Sequence, residues 1–210
     1  MLFRDRAEAG RHLAERLRHL QGRPLVVLGL PRGGVVVAAE VARVLDAPLD
    51  VIVVRKLGVP TQPELAMGAV GEDGVEVRND EVLRHVDVSP EGWATAVARE
   101  RAEVERRARR FRGDRPRLPL AGRTVVIVDD GVATGSTARA ACQVARAEGA
   151  AHVVVAVPVA PPAWTTRLDD VADELVCLET PRRFFAVGAA YADFTQLTDE
   201  QVVECLERER

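Results

Sequence analysis

Val125–Thr137, VVIVDDGVATGST, is the stretch whose reading decides the fold of this 210-residue chain. Val125–Val128 is an unbroken run of β-branched residues, which predicts a strand buried on both faces, as in a parallel sheet. Asp129-Asp130 ends the strand. Gly131, Ala133 and Gly135, interleaved with Thr134, Ser136 and Thr137, predict a tight loop opening a helix. Small residues let backbone approach an anion closely, and the N–H groups of a helix start converge on it. No lysine follows the glycine, so this is not a GxxxxGK[ST] nucleotide loop, and the GxGxxG dinucleotide pattern is absent as well. Two adjacent carboxylates would repel a bare phosphate. They make sense when the anion carries hydroxyls beside it, as a sugar phosphate does.

Working outward, Leu25–Leu30 predicts a buried strand, Val35–Leu45 a helix and Leu49–Val54 a second buried strand ending at Arg55-Lys56. Strand, helix and strand within about 30 residues make a βαβ unit and a parallel sheet. Residues 4–21 have the period of an amphipathic helix. Gly58–Asp80, rich in glycine and proline, reads as a mobile loop followed by a hairpin, and 91–112 as a long helix ended by Gly113. The α/β rhythm then resumes with a strand over 124–128, a helix over 137–147 and a strand over 152–157. A short helix over 162–170, a strand over 174–178 and a last helix over 199–208 complete it. In open parallel sheets, ligands bind outside the carboxyl ends of the strands. Arg32-Gly33-Gly34, Arg55-Lys56 and Asp129–Thr137 all fall there.

Composition sets bounds. Hydrophobic residues make up 47% and charged residues 29%, the balance of a soluble globular protein. No apolar run approaches the roughly 20 residues that span a bilayer, and the charged N-terminus is no signal peptide. The three cysteines, Cys142, Cys177 and Cys205, lack ligand spacing and fit reduced thiols. A cytoplasmic location is expected. Net charge is −3, which argues against a general polyanion binder, but Arg99–Arg117 holds nine arginines against four acids.

Val125–Thr137 strongly resembles the signature of the type I phosphoribosyltransferase family, in which apolar strand residues lead into two acids and a small-residue loop. The resemblance implies that Asp129 and Asp130 bind the ribose hydroxyls of 5-phosphoribosyl pyrophosphate and act as the catalytic acids. Ala133, Thr134, Gly135, Ser136 and Thr137 would cradle its 5-phosphate. Gly131 stands where the family has an aliphatic residue and is expected to loosen the loop. Ala133 stands where several members acting on 6-oxopurines have an aspartate, so the loop leaves the acceptor open. Arg32, Gly33 and Gly34 match the family's pyrophosphate loop, with a cis peptide expected at Arg32-Gly33. Arg55 and Lys56 would contact pyrophosphate, under a flap formed by 58–79. Mg²⁺ would bridge diphosphate and ribose, held mainly by the ligand, with Asp193 the one nearby protein candidate. Phe184 and Phe185 are acceptor-side candidates for stacking on a planar base.

The expectation is therefore one domain over 1–210 with the type I phosphoribosyltransferase fold. Its doubly wound, mainly parallel sheet would carry a hairpin and helical insertion at about 81–118. The activity implied is Mg²⁺-dependent transfer of ribose 5-phosphate to a nitrogen acceptor, a nucleobase by preference, in a homo-oligomer such as a dimer. The alternative is a ligand-sensing, RNA-binding regulator on the same fold, resting on the basic segment. A solvated or dimer-forming helix laced with ion pairs accounts for that segment better.

Overall fold

The computed structural model describes residues 2–208, the Glu64 side chain excepted. In chain order the elements are α1 (Arg6–Arg16), β1 (Leu25–Gly29), α2 (Gly33–Leu45), β2 (Leu49–Val51), β3 (Arg55–Val59), β4 (Gln62–Val70) and β5 (Glu76–Arg78). There follow α3 (Asp80–Leu83), α4 (Pro90–Arg112), β6 (Thr124–Val128), α5 (Ser136–Ala147), β7 (His152–Val159), β8 (Glu174–Glu179) and α6 (Asp199–Arg208). A five-stranded sheet has the order β2-β1-β6-β7-β8, and every pairing in it is parallel. β3, β4 and β5 form a separate antiparallel sheet of three strands.

Alternation along each central strand sorts the core into two layers, because successive side chains point to opposite faces. Val125 and Ile127 pack toward α5 with Ala138, Ala141 and Val144. Val126 and Val128 pack on the other face against Leu13 and Leu17 of α1 and Val37 and Val41 of α2. Helices on both faces of a parallel sheet are the type I phosphoribosyltransferase architecture expected from the sequence. A third core lies under the insertion, where Leu57, Val59, Met67, Val97, Val104 and Phe111 meet Val202 and Leu206 of α6.

Three expectations need correction. The second strand stops at Val51, and Arg55-Lys56 open β3 rather than closing the strand before it. The stretch over 58–79 contains the expected hairpin, but the part read as a mobile loop and flap is also strand, within the antiparallel sheet. Its glycines mark close approach. A Cβ on Gly58 would lie 2.4 Å from the Pro63 carbonyl oxygen, and one on Gly68 2.4 Å from that of Val77 and 2.7 Å from the Trp93 ring. Glycine in a strand has this second meaning, which composition does not separate from a loop. Residues 162–170 contain only a three-residue 3₁₀ turn, Thr165–Arg167.

α4 is well founded at both ends. Ser89 caps its start by accepting from the Gly92 N–H, proline occupies the first turn, and Gly113 ends it at φ +62°. Most arginines of the basic segment are engaged in ion pairs. Arg106 bonds Glu103 at 2.8 Å, Arg101 pairs with Glu76, Arg110 with Glu200 and Arg117 with Glu148 at 2.7 Å. Arg112 is buried between Asp50 and Glu72.

Candidate active site

The loops after β1 and β6 meet at the carboxyl edge of the sheet. The Leu30 N–H donates to the Val128 carbonyl at 2.9 Å, which carries the parallel pairing to the point where both chains turn away. The cis peptide lies at Pro31-Arg32, one residue before the expected position, and α2 begins directly after it at Gly33. A Cβ on Gly33 would fall 1.9 Å from Asp130 Oδ2. One on Gly34 would fall 2.6 Å from the Val128 carbonyl oxygen and 2.8 Å from Asp129 Cα. The glycine pair thus lets the start of α2 sit against the acid pair. Gly34→Ala meets backbone that cannot swing aside, and overpacking of this kind costs about 1–3 kcal/mol. A lowered melting temperature is expected, and an unchanged one would contradict this account.

The two acids have different surroundings. Asp129 accepts the Asp130 backbone N–H at 2.9 Å. Burial, and then the neighbouring Asp130 charge, push the Asp129 carboxyl well above the usual range. Asp130 Oδ2 accepts from Arg6 Nε at 2.8 Å, with both side chains mostly out of water. Arg6 also donates to the Thr195 carbonyl at 3.0 Å and lies 4.0 Å from the Phe194 ring centroid. Tyr191 stacks on Phe194 at 5.1 Å and donates its hydroxyl to the Asp130 carbonyl at 2.5 Å. Burial pushes that phenol up.

Arg6 and Tyr191 are the site neighbours that the sequence did not single out as partners of the acids. Arg6 sits among charges on an amphipathic helix, and its partner is 124 residues away. No local spacing could have joined them. Tyr191 belonged to an aromatic cluster whose members do different things. Phe184 packs against the small core of Phe3, Val159, Ala190 and Tyr191, whereas Phe185 is 85% exposed. The two acceptor-side candidates therefore do not form one platform.

The loop after β6 turns into α5 at a glycine. Gly135, at φ +78°, is the residue from which α5 departs, a left-handed conformation suited to glycine. The hydroxyls of Thr134 and Ser136 are hydrogen bonded at 3.0 Å, and Arg167 holds the Thr134 carbonyl at 2.9 Å. Gly131 does not loosen this loop. A Cβ there would meet Val187 at 2.5 Å and Val159 at 2.9 Å, so the missing side chain is replaced by close packing.

Beside this loop opens a cleft of about 500 Å³. Pro31 lines it from the first loop, Ser136 and Thr137 from the start of α5, Arg55 and Lys56 from β3, and Arg99, Glu100 and Arg107 from α4. Two separately predicted segments, Arg55-Lys56 and the end of the Asp129–Thr137 loop, thus share one cavity, with Pro31 of the first loop beside them. Asp129, Asp130, Arg32, Gly33 and Gly34 are not on its wall; they lie on the flank toward Arg6, and Arg32 comes to 3.9 Å from Asp199. Burial works to raise the Glu100 carboxyl, but Arg55 at 2.9 Å and Arg99 at 3.0 Å hold it below its ordinary value.

Among the described residues no group of three or more histidine, cysteine or acidic side chains could hold a metal unaided. Asp193, the protein candidate, accepts the backbone N–H and hydroxyl of Thr195 at 2.9 and 2.6 Å, and these bonds hold its carboxyl low. The adjacent carboxylates of Asp129 and Asp130 are of the hard oxygen-donor type that suits a divalent cation held mainly by a phosphorylated ligand.

A family model described as "Phosphoribosyl transferase domain" matches residues 4–193. A Mycobacterium tuberculosis H37Rv protein, provisionally named a phosphoribosyl transferase, is 59% identical over 207 residues. The match covers 99% of this chain but 47% of the relative, so the chain spans about half the length of the curated relatives it matches. The crystal structure of TT1426 from Thermus thermophilus superposes with a TM-score of 0.92 at 51% identity, covering 99% of both chains. A hypoxanthine-guanine phosphoribosyltransferase from Bacillus anthracis shares the fold at a TM-score of 0.50 and 12% identity, over 84% of this chain and 79% of that one. This chain belongs to the phosphoribosyl transferase domain family, of type I fold.

Proposed function

We propose that this protein transfers ribose 5-phosphate from 5-phosphoribosyl pyrophosphate to a nitrogen acceptor, a nucleobase by preference, and releases pyrophosphate. The observation that carries the reading is the junction at α5. An acid pair suited to ribose hydroxyls lies on one side of its N-terminal loop, and a cation-lined cleft lies on the other. A donor that carries a pair of ribose hydroxyls, a 5-phosphate and a diphosphate has one group for each of these three features.

Displacement at the ribose C1 leaves positive charge on the sugar and negative charge on the departing diphosphate. Fixed donors and cations at the leaving group lower that barrier without reorganising. In this reading Asp129 and Asp130 hold the ribose hydroxyls, and the backbone N–H groups and hydroxyls of Thr134–Thr137 hold the 5-phosphate. Arg55 and Lys56 meet the diphosphate. Mg²⁺, when bound, would neutralise diphosphate charge beside the acids. Packing around the cleft would keep water from the hydrolysable sugar.

The test is calorimetry and thermal shift with 5-phosphoribosyl pyrophosphate and Mg²⁺, followed by assay of pyrophosphate release across the common nucleobases. At a donor concentration of 100 Kd, linkage gives about 2.7 kcal/mol of stabilisation. For a chain of this size that raises the melting temperature by roughly 5–11 °C. The absence of both heat and shift would refute the reading. Donor binding without release over any base would refute the nucleobase acceptor alone.

A further inference from the structure

We propose that Arg107, on the inserted helix α4, binds the diphosphate end of the ligand in the cleft. The inference rests on the donor reading above and adds to it a residue far in sequence from the family's loops.

Four cations, Arg55, Lys56, Arg99 and Arg107, face the cleft against the single described carboxylate of Glu100. That carboxylate is already engaged. It is only 8% exposed, and Arg55 and Arg99 both donate to it. Arg107 lies seven residues further along α4, two helical turns on and therefore on the same face. Among the described residues it forms no ion pair, and its guanidinium stands 5.7 Å from the Phe111 ring centroid. Burial, and then the nearby Arg55 charge, push its pKa down, and the weaker pull of Glu103 and Asp199 does not offset them. Of the other arginines along this helix, Arg99, Arg101, Arg106, Arg110 and Arg112 each have a carboxylate partner, and Arg109, which shows no ion pair among the described residues, is exposed rather than half-buried.

A half-buried guanidinium set beside another, with no carboxylate paired to it among the described residues, is a costly arrangement for a ligand-free protein. An incoming polyanion removes that cost. The planar fork of arginine suits it to two phosphate oxygens at once. Shape agrees with charge, since Arg107 shares the cavity with Lys56 from β3 and with Ser136 and Thr137 at the start of α5. The start of the α5 loop, where the 5-phosphate is placed in this reading, therefore adjoins the cations suited to the diphosphate. The insertion then supplies part of the donor site as well as a cover for the core.

The experiment compares the wild-type full chain with Arg107→Gln, Arg107→Lys and Arg106→Gln by calorimetry, using Mg²⁺-pyrophosphate and, separately, ribose 5-phosphate. Charge-assisted hydrogen bonds are worth about 1.5–3 kcal/mol, so Arg107→Gln should weaken pyrophosphate roughly 10–100-fold. Ribose 5-phosphate affinity should stay within about twofold, as should both affinities in Arg106→Gln, which removes an exposed cation from the same helix. Arg107→Lys keeps the charge and the stem beside Phe111, and serves if the glutamine variant does not fold. It should weaken pyrophosphate several-fold, because an ammonium lacks the fork. Unchanged pyrophosphate affinity in the folded variants overturns the proposal, and so does an equal loss for ribose 5-phosphate, which would mark a distorted cleft. Wild-type protein that binds neither pyrophosphate nor the intact donor overturns the donor reading together with this one. Wild-type binding that is insensitive to Arg107 overturns this one only.

Discussion

Replacing Arg112 with alanine is expected to lower stability by about 3–5 kcal/mol, the usual cost of leaving buried charges without their partner. In a chain of this length that corresponds to a fall of roughly 6–20 °C in melting temperature. Arg112 is 7% exposed and lies between two buried acids. Its Nε donates to Asp50 at 3.0 Å, and its other nitrogens reach Glu72 and, at 2.9 Å, the Val51 carbonyl. Burial opposes its charge, but the two carboxylates hold its pKa up.

The same acids also bond the backbone. Asp50 accepts the N–H groups of Val51 at 2.7 Å and Leu118 at 3.2 Å, and Glu72 accepts that of Val53 at 3.4 Å. The network therefore fixes the segment that leaves β2 and delivers Arg55 and Lys56 to the cleft. Arg112→Ala should weaken pyrophosphate binding as well as stability. A thermal melt within about 2 °C of wild type would show that the buried network contributes little. Changing Asp50, Glu72 and Arg112 together to apolar residues should recover only part of the loss, because those backbone donors would then lack acceptors.

The second large effect is expected in function, at the acid pair. Asp130→Asn and Asp129→Asn should each reduce kcat/KM by about 10²–10³-fold, the scale seen when one preorganised transition-state contact is removed. Their effects on the ligand-free protein should differ in sign. Asp130→Asn removes the charge that Arg6 is paired with and should lower the melting temperature. Asp129→Asn removes a carboxylate that its surroundings resist ionising and should raise it at neutral pH.

The pH dependence follows from linkage. The folded pKa of Asp129 is raised above its unfolded value, so its favourable contribution is fully present below the unfolded pKa and is lost as pH rises through the folded one. The advantage of Asp129→Asn should therefore vanish as pH falls below the ordinary carboxylate range and grow as pH rises from it. Melting curves of both variants between acid and neutral pH test this. Destabilisation by Asp129→Asn at neutral pH would mean that its carboxylate is welcome where it stands.

β6 runs over Thr124–Val128 as its β-branched pattern requires, and the Asp129–Thr137 loop falls between strand and helix as read. These features are local, since strand burial, the glycine at Gly135 and the start of α5 depend on neighbours a few residues away. The βαβ rhythm likewise determined the parallel sheet and placed the loops at one edge. By contrast, the glycines over 58–79 carried two meanings, and only the positions of Pro63, Val77 and Trp93 selected close strand packing over a loop.

The sequence by itself determined the doubly wound sheet, the acid pair and the anion loop, because each is written in short-range pattern. Tertiary structure alone decided what those residues face. It brought Arg6 to Asp130 across 124 positions, set Glu100 against Arg55 across 45 and closed Arg112 onto Asp50 across 62. Electrostatic partners act through space, and no spacing along a chain records which charge will be left without one. The meaning of the basic helix changed for that reason: most of its arginines neutralise acids of the fold, while Arg107 faces the cleft.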